Sequence, residues 1–155
     1  MTTDLTSSRG FRPQIVTSLH PRLLISEPSR EWIGTVNNRL EELIRLRQGW
    51  NGYQAQPVSY ENAVFAQKII EGTCRNNNIQ PSIVPGSSGD LQVEWHTLEG
   101  DVELHVLAPY TVRAYYSNES NQTEQEVDLT NDFSLIGTWL NEIKETSIAH
   151  IAAAA

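Results

Sequence analysis

The chain has 155 residues, of which 39% are hydrophobic, a single cysteine and a formal net charge of −8. This length is enough for one domain with a sizeable core, so folding requires no disulfide or metal, and the lone Cys74 is expected to be a small buried hydrophobe rather than a nucleophile. No apolar run is long enough to span a membrane, and the start of the chain lacks the layout of a secretory signal, which predicts a cytoplasmic protein.

The acidic charge is concentrated in the second half of the chain. Residues 90–145 contain twelve acidic and two basic side chains, for a net charge of −10, whereas residues 1–30 contain four arginines and two acidic residues, for +2. A surface this negative repels phosphate backbones and steers association toward basic surfaces. We therefore expect a basic protein partner and no direct contact with nucleic acid.

Residues 1–25 form an arm without a sustained hydrophobic period. Thr, Ser, Arg and Pro dominate it, with short apolar clusters at Phe11, at Ile15-Val16 and at residues 23–25. A segment of this composition is loose alone and orders by docking, either on its own domain or on another chain. We expect the folded domain to comprise residues 26–148, followed by a low-complexity tail at residues 149–155.

Two helices are predicted next. From Ser29 onward, apolar residues recur at three- and four-residue spacing, which predicts a helix with Ser26 or Ser29 as its cap and Gly49 at its end. A second helix is expected after a cap at Ser59. Its apolar stripe contains small residues, which would let the two helices approach closely as an antiparallel pair. The stripe comprises Ala63, Ala66, Ile70 and Cys74.

The segment between the two helices reads Gly49-Trp50-Asn51-Gly52-Tyr53. Gly49 and the Asn51-Gly52 pair tolerate positive φ, so we expect a tight turn that aims the two aromatic rings at something fixed. The favoured interpretation is that Trp50 and Tyr53 fill one end of the hydrophobic core. The alternative is a surface anchor for a partner.

After residue 80 the apolar period becomes two, which is typical of strands. A short edge strand is expected at Ile83-Val84, then a hairpin, a third strand after Pro109 and a weaker strand over residues 124–129. In the hairpin, matching the apolar faces sets the register. The predicted pairs are Trp95 with Val102, Val93 with Leu104 and Leu91 with Val106. A last helix is expected after a cap at Thr130 or Asn131.

This order of elements predicts an α+β domain. It would have two N-terminal helices, an antiparallel sheet of three to four strands, and a C-terminal helix packed on the sheet.

The middle half of the chain resembles a family of small bacterial proteins of unassigned function. The resemblance covers residues 36–107 and rests on the glycine-flanked turn at residues 49–53, on Pro57 and Ser59, and on the strand Leu91-Gln92-Val93-Glu94-Trp95. Members look like one partner of a two-gene, toxin–antitoxin-like or defence-associated pair, which implies an antitoxin-like or accessory role. Asn51 stands where the family usually has Asp, a departure that favours a structural role for the turn over catalysis.

The polar face of the predicted sheet is the most site-like feature. The register places Glu94 opposite Glu103, and the third strand adds Tyr115 beside Glu103 and Arg113 beside His105. Opposed glutamates are unfavourable across a sheet. One interpretation is a solvated face on which Arg113 neutralises the repulsion. The other is that a cation lies over the glutamates, either an arginine of a partner or a metal.

The leading hypothesis is a non-enzymatic binding module, antitoxin-like or accessory, that docks a basic protein partner through this face and needs no cofactor. A first alternative is a small metal-dependent hydrolase or nuclease-like enzyme that uses Glu94, Glu103 and His105. No tight metal-ligand motif, phosphate-binding loop or nucleophile elbow accompanies them in the sequence. A second alternative is a structural homo-oligomer assembled through residues 1–25.

Overall fold

The structure is a computed structural model that describes residues 32–74 and 79–144. These residues form three helices and five strands. The helices are α1 (Ile33–Ile44), α2 (Tyr60–Thr73) and α3 (Ser134–Glu142), and the strands are β1 (Ser82–Pro85), β2 (Leu91–His96), β3 (Gly100–Ala108), β4 (Thr111–Asn118) and β5 (Thr123–Leu129). The predicted arm, the predicted caps Ser26 and Ser29, and the tail lie outside the described residues.

The predicted α+β class is confirmed, with five strands in place of three to four. All neighbouring strands are antiparallel, and their order in the sheet is the order along the chain. The outermost strands are the two that the sequence indicated only as a short edge strand and a weaker strand: β1 has four residues and β5 is largely polar, so the hydrophobic signal of each is weak. None of the described helices has the length and apolar character that crossing a bilayer would demand.

The hairpin register is confirmed at every predicted pair. Trp95 lies opposite Val102, Val93 opposite Leu104, and Leu91 opposite Val106. Because side chains alternate across a strand, one slip of register would have exposed all of these residues. The sheet residues that are buried on this inner face are Leu91, Val93, Trp95, Val102, Leu104, Val106, Val112, Ala114 and Tyr116.

All three helices contribute to the same core as the inner face of the sheet. From α1 come Val36, Leu40 and Leu43, from α2 come Ala63, Ala66, Ile69 and Ile70, and from α3 come Ile136, Trp139 and Leu140. The rings of Tyr116 and Trp139 stack with their centroids 5.0 Å apart, which joins β4 to α3. One face of the sheet is therefore packed under helices, and the other has none of the described helices over it.

The predicted antiparallel packing of α1 and α2 is visible in two hydrogen bonds. Asn37 in α1 accepts a 3.1 Å bond from Gln67 in α2. Further along the chain, the Leu43 carbonyl accepts a 3.2 Å bond from the Val58 amide just before α2. Since a later residue of α1 meets an earlier residue near α2, the helices run in opposite directions. The predicted cap is also confirmed, because Ser59 accepts the Asn62 amide at 3.2 Å.

Two helix boundaries were predicted wrongly. The first helix ends at Ile44 rather than at Gly49, because the Arg45 amide already closes the last turn onto Glu41 and Glu42 and the chain then departs. The last helix is not capped by Thr130 or Asn131. Asp132 instead accepts the Ser134 amide at 2.9 Å. The apolar period sets which face of a helix is buried, and it leaves the terminal residues poorly determined.

Candidate functional site

The uncovered side of the sheet is the candidate site, and we call it the outer face. It consists of the side chains that alternate with the buried ones on β2 to β5. Its members are Gln92, Glu94, His96, Asp101, Glu103, His105, Arg113, Tyr115, Ser117, Glu124, Glu126 and Asp128. Six of these side chains are carboxylates and one is a guanidinium, so the outer face is strongly acidic.

The sequence-predicted site residues do come together on this face. Glu94 is the cross-strand partner of Glu103, and Glu103 is the partner of Tyr115. These three residues lie in one row across β2, β3 and β4. His105 and Arg113 are partners in the neighbouring row. All five belong to one continuous surface, as the predicted register required.

The two glutamates are not neutralised by Arg113. The Arg113 guanidinium turns toward β5, where Nε lies 3.1 Å from Asp128 and 3.5 Å from Glu126. Its hydrogen bond to Asp128 raises the pKa of Arg113. Arg113 therefore forms its ion pairs with β5, and among the described residues the structure gives no ion pair through which it would relieve the Glu94–Glu103 repulsion; the interpretation of a solvated face stays a prediction.

Glu103 is the residue that this arrangement leaves without a partner. No hydrogen bond or ion pair joins its carboxylate to any residue that the structure describes. Within the described part of the chain, the carboxylate of its neighbour Glu94, whose side chain is 19% exposed, contacts His96 at 3.3 Å and Ser82 at 3.5 Å. A half-buried carboxylate facing a second one is costly unless a cation compensates it.

His96 is a functional candidate that the predicted site omitted. Its Nδ1 lies 2.8 Å from Asp101 Oδ1 and its Nε2 lies 3.3 Å from Glu94 Oε2, so one imidazole bridges two carboxylates. The hydrogen bond to Asp101 raises the pKa of His96, against the opposing effect of partial burial, and Glu94 adds to the rise. The predicted hairpin register, continued by one residue beyond Trp95 and Val102, sets His96 opposite Asp101 and was the signal from which this bridge could have been found.

His105 is engaged by a residue outside the predicted site. Its Nε2 contacts Asp90 Oδ2, and Asp90 Oδ1 accepts the Ser88 amide at 2.9 Å. Burial opposes ionisation of Asp90, but the hydrogen bonds from His105 and Ser88 outweigh it and lower the pKa of this carboxyl. There is no room at Gly86 for a side chain, because a Cβ there would lie 2.1 Å from Asp90 Oδ2. Asp90 and His105 thus form a fixed pair at the end of the hairpin.

The ligand set of the metal-dependent alternative is not assembled in the described part of the chain. Within residues 32–74 and 79–144, no group of three His, Cys, Asp or Glu side chains could hold a metal ion. His105, one of the three proposed ligands, contacts Asp90.

The turn at residues 49–53 is built as predicted, but its aromatic rings are not in the core. Gly49 and Gly52 have φ of +78° and +83°, and the Asn51 carboxamide oxygen accepts the amides of Tyr53 at 3.0 Å and Ala55 at 3.3 Å. Tyr53 is 84% exposed. Trp50 is half-buried and donates from Nε1 to the Gln56 carbonyl at 2.9 Å. The prediction that both rings fill one end of the core is wrong.

The rings lie outside the core because the turn is held by hydrogen bonds within residues 50–56. Asn51 needs only a carbonyl oxygen to hold two amides, a role that Asp would fill equally well. Trp50 uses its indole N–H to fasten the turn to the segment that follows it. In this structure the Gly49–Tyr53 motif shapes the connection between α1 and α2, and the surface-anchor alternative stays a prediction.

Comparison with known proteins assigns no class to this fold and site. No protein-family model, curated protein or solved structure matches the chain. The resemblance over residues 36–107 accordingly stays a prediction.

Proposed function

We propose that this protein is a non-enzymatic, cytoplasmic binding module, antitoxin-like or accessory to another subunit, whose outer face docks a basic protein partner. The observation that carries the proposal is the row of Glu94, Glu103 and Tyr115 on a sheet face that no described helix covers. Glu94 has His96 beside it, whereas Glu103 has no partner among the described residues, and a cationic side chain of a partner would compensate the charge of Glu103.

The chemistry of the row suits an arginine or lysine side chain. Glu103 offers an acceptor with no competing partner among the described residues. The ring of Tyr115 lies beside it and is suited to stack against a cation. Around this centre, Glu124, Glu126 and Asp128 extend the negative field and would raise the association rate with a basic surface.

The test is a titration of the partner recovered from the native host, with wild-type protein and a variant carrying Glu94→Gln and Glu103→Gln. We expect the variant to bind at least tenfold more weakly, a loss of about 1.4 kcal/mol. The dependence of its affinity on salt should also be flatter, because fewer charges are brought together.

The matched control carries Glu41→Gln and Glu42→Gln on α1. It has the same net charge as the test variant, but both substitutions are on an exposed helix surface. We expect its affinity to remain within twofold of wild type. If both double variants bind like wild type, or both lose affinity equally, docking does not depend on the outer face.

A further inference from the structure

The two edges of the sheet are built differently. The edge at β1 is short and closed: Pro81 precedes the strand and Pro85 ends it, and proline has no amide hydrogen to donate to an added strand. In addition, Arg39 of α1 donates from Nε to the Ile83 carbonyl at 3.1 Å. This edge therefore offers little main-chain surface for pairing.

The edge at β5 is long, and among the described strands only β4 pairs with it. All seven residues of Thr123–Leu129 pair with β4 in an unbroken register, and the strand contains no proline. Within residues 32–74 and 79–144, no strand pairs with the other side of β5. Every second residue of such an edge presents an unpaired amide and carbonyl, which is the surface to which an extended chain adds.

The side chains of β5 indicate which kind of strand could pair with it. Glu124, Glu126 and Asp128 point to the outer face and are exposed, whereas Val127 and Leu129 are half-buried and pack against the core. A matching strand would alternate basic residues on the outer face with apolar residues on the inner face. The edge charges also protect against pairing with chains of other composition.

A second copy of this chain does not meet that requirement. Pairing β5 with β5 of another copy would bring the acidic side chains of both strands onto one face. Like charges across neighbouring strands are destabilising. The charge pattern thus selects a basic partner over self-association.

We propose that β5 is a strand-addition site for an extended segment of a protein partner in which basic and apolar residues alternate. This deepens the proposed function, from which it takes the basic character of the partner. It places main-chain pairing at one edge of the same acidic surface whose centre is the Glu94–Glu103 row.

The test is amide hydrogen exchange on the full chain, alone and with a defined probe. The probe is a nine-residue peptide of alternating lysine and valine, acetylated and amidated at its ends. We expect alternate amides of Thr123–Leu129 to exchange quickly in the protein alone and to become at least tenfold slower with the peptide. A peptide of alternating glutamate and valine should give no protection.

Two variants of equal charge change test the role of the edge side chains. Glu124→Lys with Glu126→Lys should weaken peptide binding at least tenfold, whereas Glu41→Lys with Glu42→Lys on α1 should leave it within twofold. The wild-type exchange measurement remains decisive if the β5 variant folds poorly, as its urea midpoint will show.

The outcomes separate this inference from the proposed function. Slow exchange of all β5 amides before any peptide is added would show that the chain itself occupies the edge, and strand addition by a partner would be wrong. Binding of the lysine peptide without protection of β5 overturns it equally. If β5 is protected but Glu94→Gln with Glu103→Gln leaves partner affinity unchanged, strand addition stands and the proposed docking centre fails.

Discussion

Replacing Glu103 by glutamine should stabilise the isolated protein. The carboxylate faces Glu94 directly across the strands and has no partner among the described residues, while Arg113 forms its ion pairs with Asp128 and Glu126. Favourable cross-strand pairs contribute roughly 0.2–1 kcal/mol, and directly opposed like charges are destabilising, so we take a cost within the same range. Glutamine keeps the shape of the side chain and can donate a hydrogen bond to Glu94. We therefore expect the free energy of unfolding of Glu103→Gln to rise by about 0.5 kcal/mol.

Urea denaturation, with the transition midpoint compared at constant slope, measures this change. The gain should shrink in 1 M salt, where the screening length is about 3 Å and the Cβ atoms of facing residues are roughly 4.5–5.5 Å apart. The control is Glu124→Gln, which removes the same charge opposite Ser117 and should change stability less. A loss of 0.5 kcal/mol or more in Glu103→Gln would refute the reasoning, because it would show that the carboxylate is satisfied within the folded protein.

Three further predictions concern the rest of the molecule. The pKa of His96 is raised above its ordinary value of 6.5. The contribution of His96 to stability is therefore complete below pH 6.5 and is lost as the pH rises through the folded-state pKa. His96→Gln should flatten this fall of the unfolding free energy with pH, and an unchanged slope would contradict the bridge. Gly100 has φ of +154°, and a Cβ there would lie 2.1 Å from a backbone oxygen, so Gly100→Ala should lower the free energy of unfolding by at least about 1–3 kcal/mol. Gly34 in α1 has open space around it, so Gly34→Ala should raise that free energy by about 0.5–1 kcal/mol. Equal urea midpoints for the two alanine variants would contradict this prediction. Trp50→Ala should lower the free energy of unfolding by about 1–2 kcal/mol, because one hydrogen bond and partial burial are lost. Trp95→Ala, which removes a fully buried ring, should lower it by about 3–5 kcal/mol. A lower thermal midpoint for Trp50→Ala than for Trp95→Ala would show that the turn is part of the core.

The architecture of the sheet could be predicted from the sequence because apolar and polar residues alternate regularly within each strand. Strict alternation in β2 and β3 leaves one register that buries every apolar residue, and that register also places Glu94 opposite Glu103 and Tyr115 beside it. The helix stripe from Ala63 to Cys74 was readable for the same reason. These predictions depend only on which face of an element is apolar.

The directions of loop and long polar side chains could not be predicted in this way. Trp50 and Tyr53 were expected in the core because they are large and apolar, but the turn that holds them faces away from it. The pairing of His105 with Asp90 depends on the path of the glycine-rich turn before β2, which no period encodes. Arg113 had carboxylates available on both sides, and the structure places it toward β5.

Docking through the outer face is best tested by NMR shift mapping of the isotope-labelled protein, with side-chain carboxyl resonances included, as its basic partner is added. We expect the largest changes at Glu94, Glu103 and Tyr115, continuing along β5, with the exposed surface of α1 unchanged. Unperturbed Glu94 and Glu103 in a saturated complex, with the changes confined to the helical side of the protein, would contradict it.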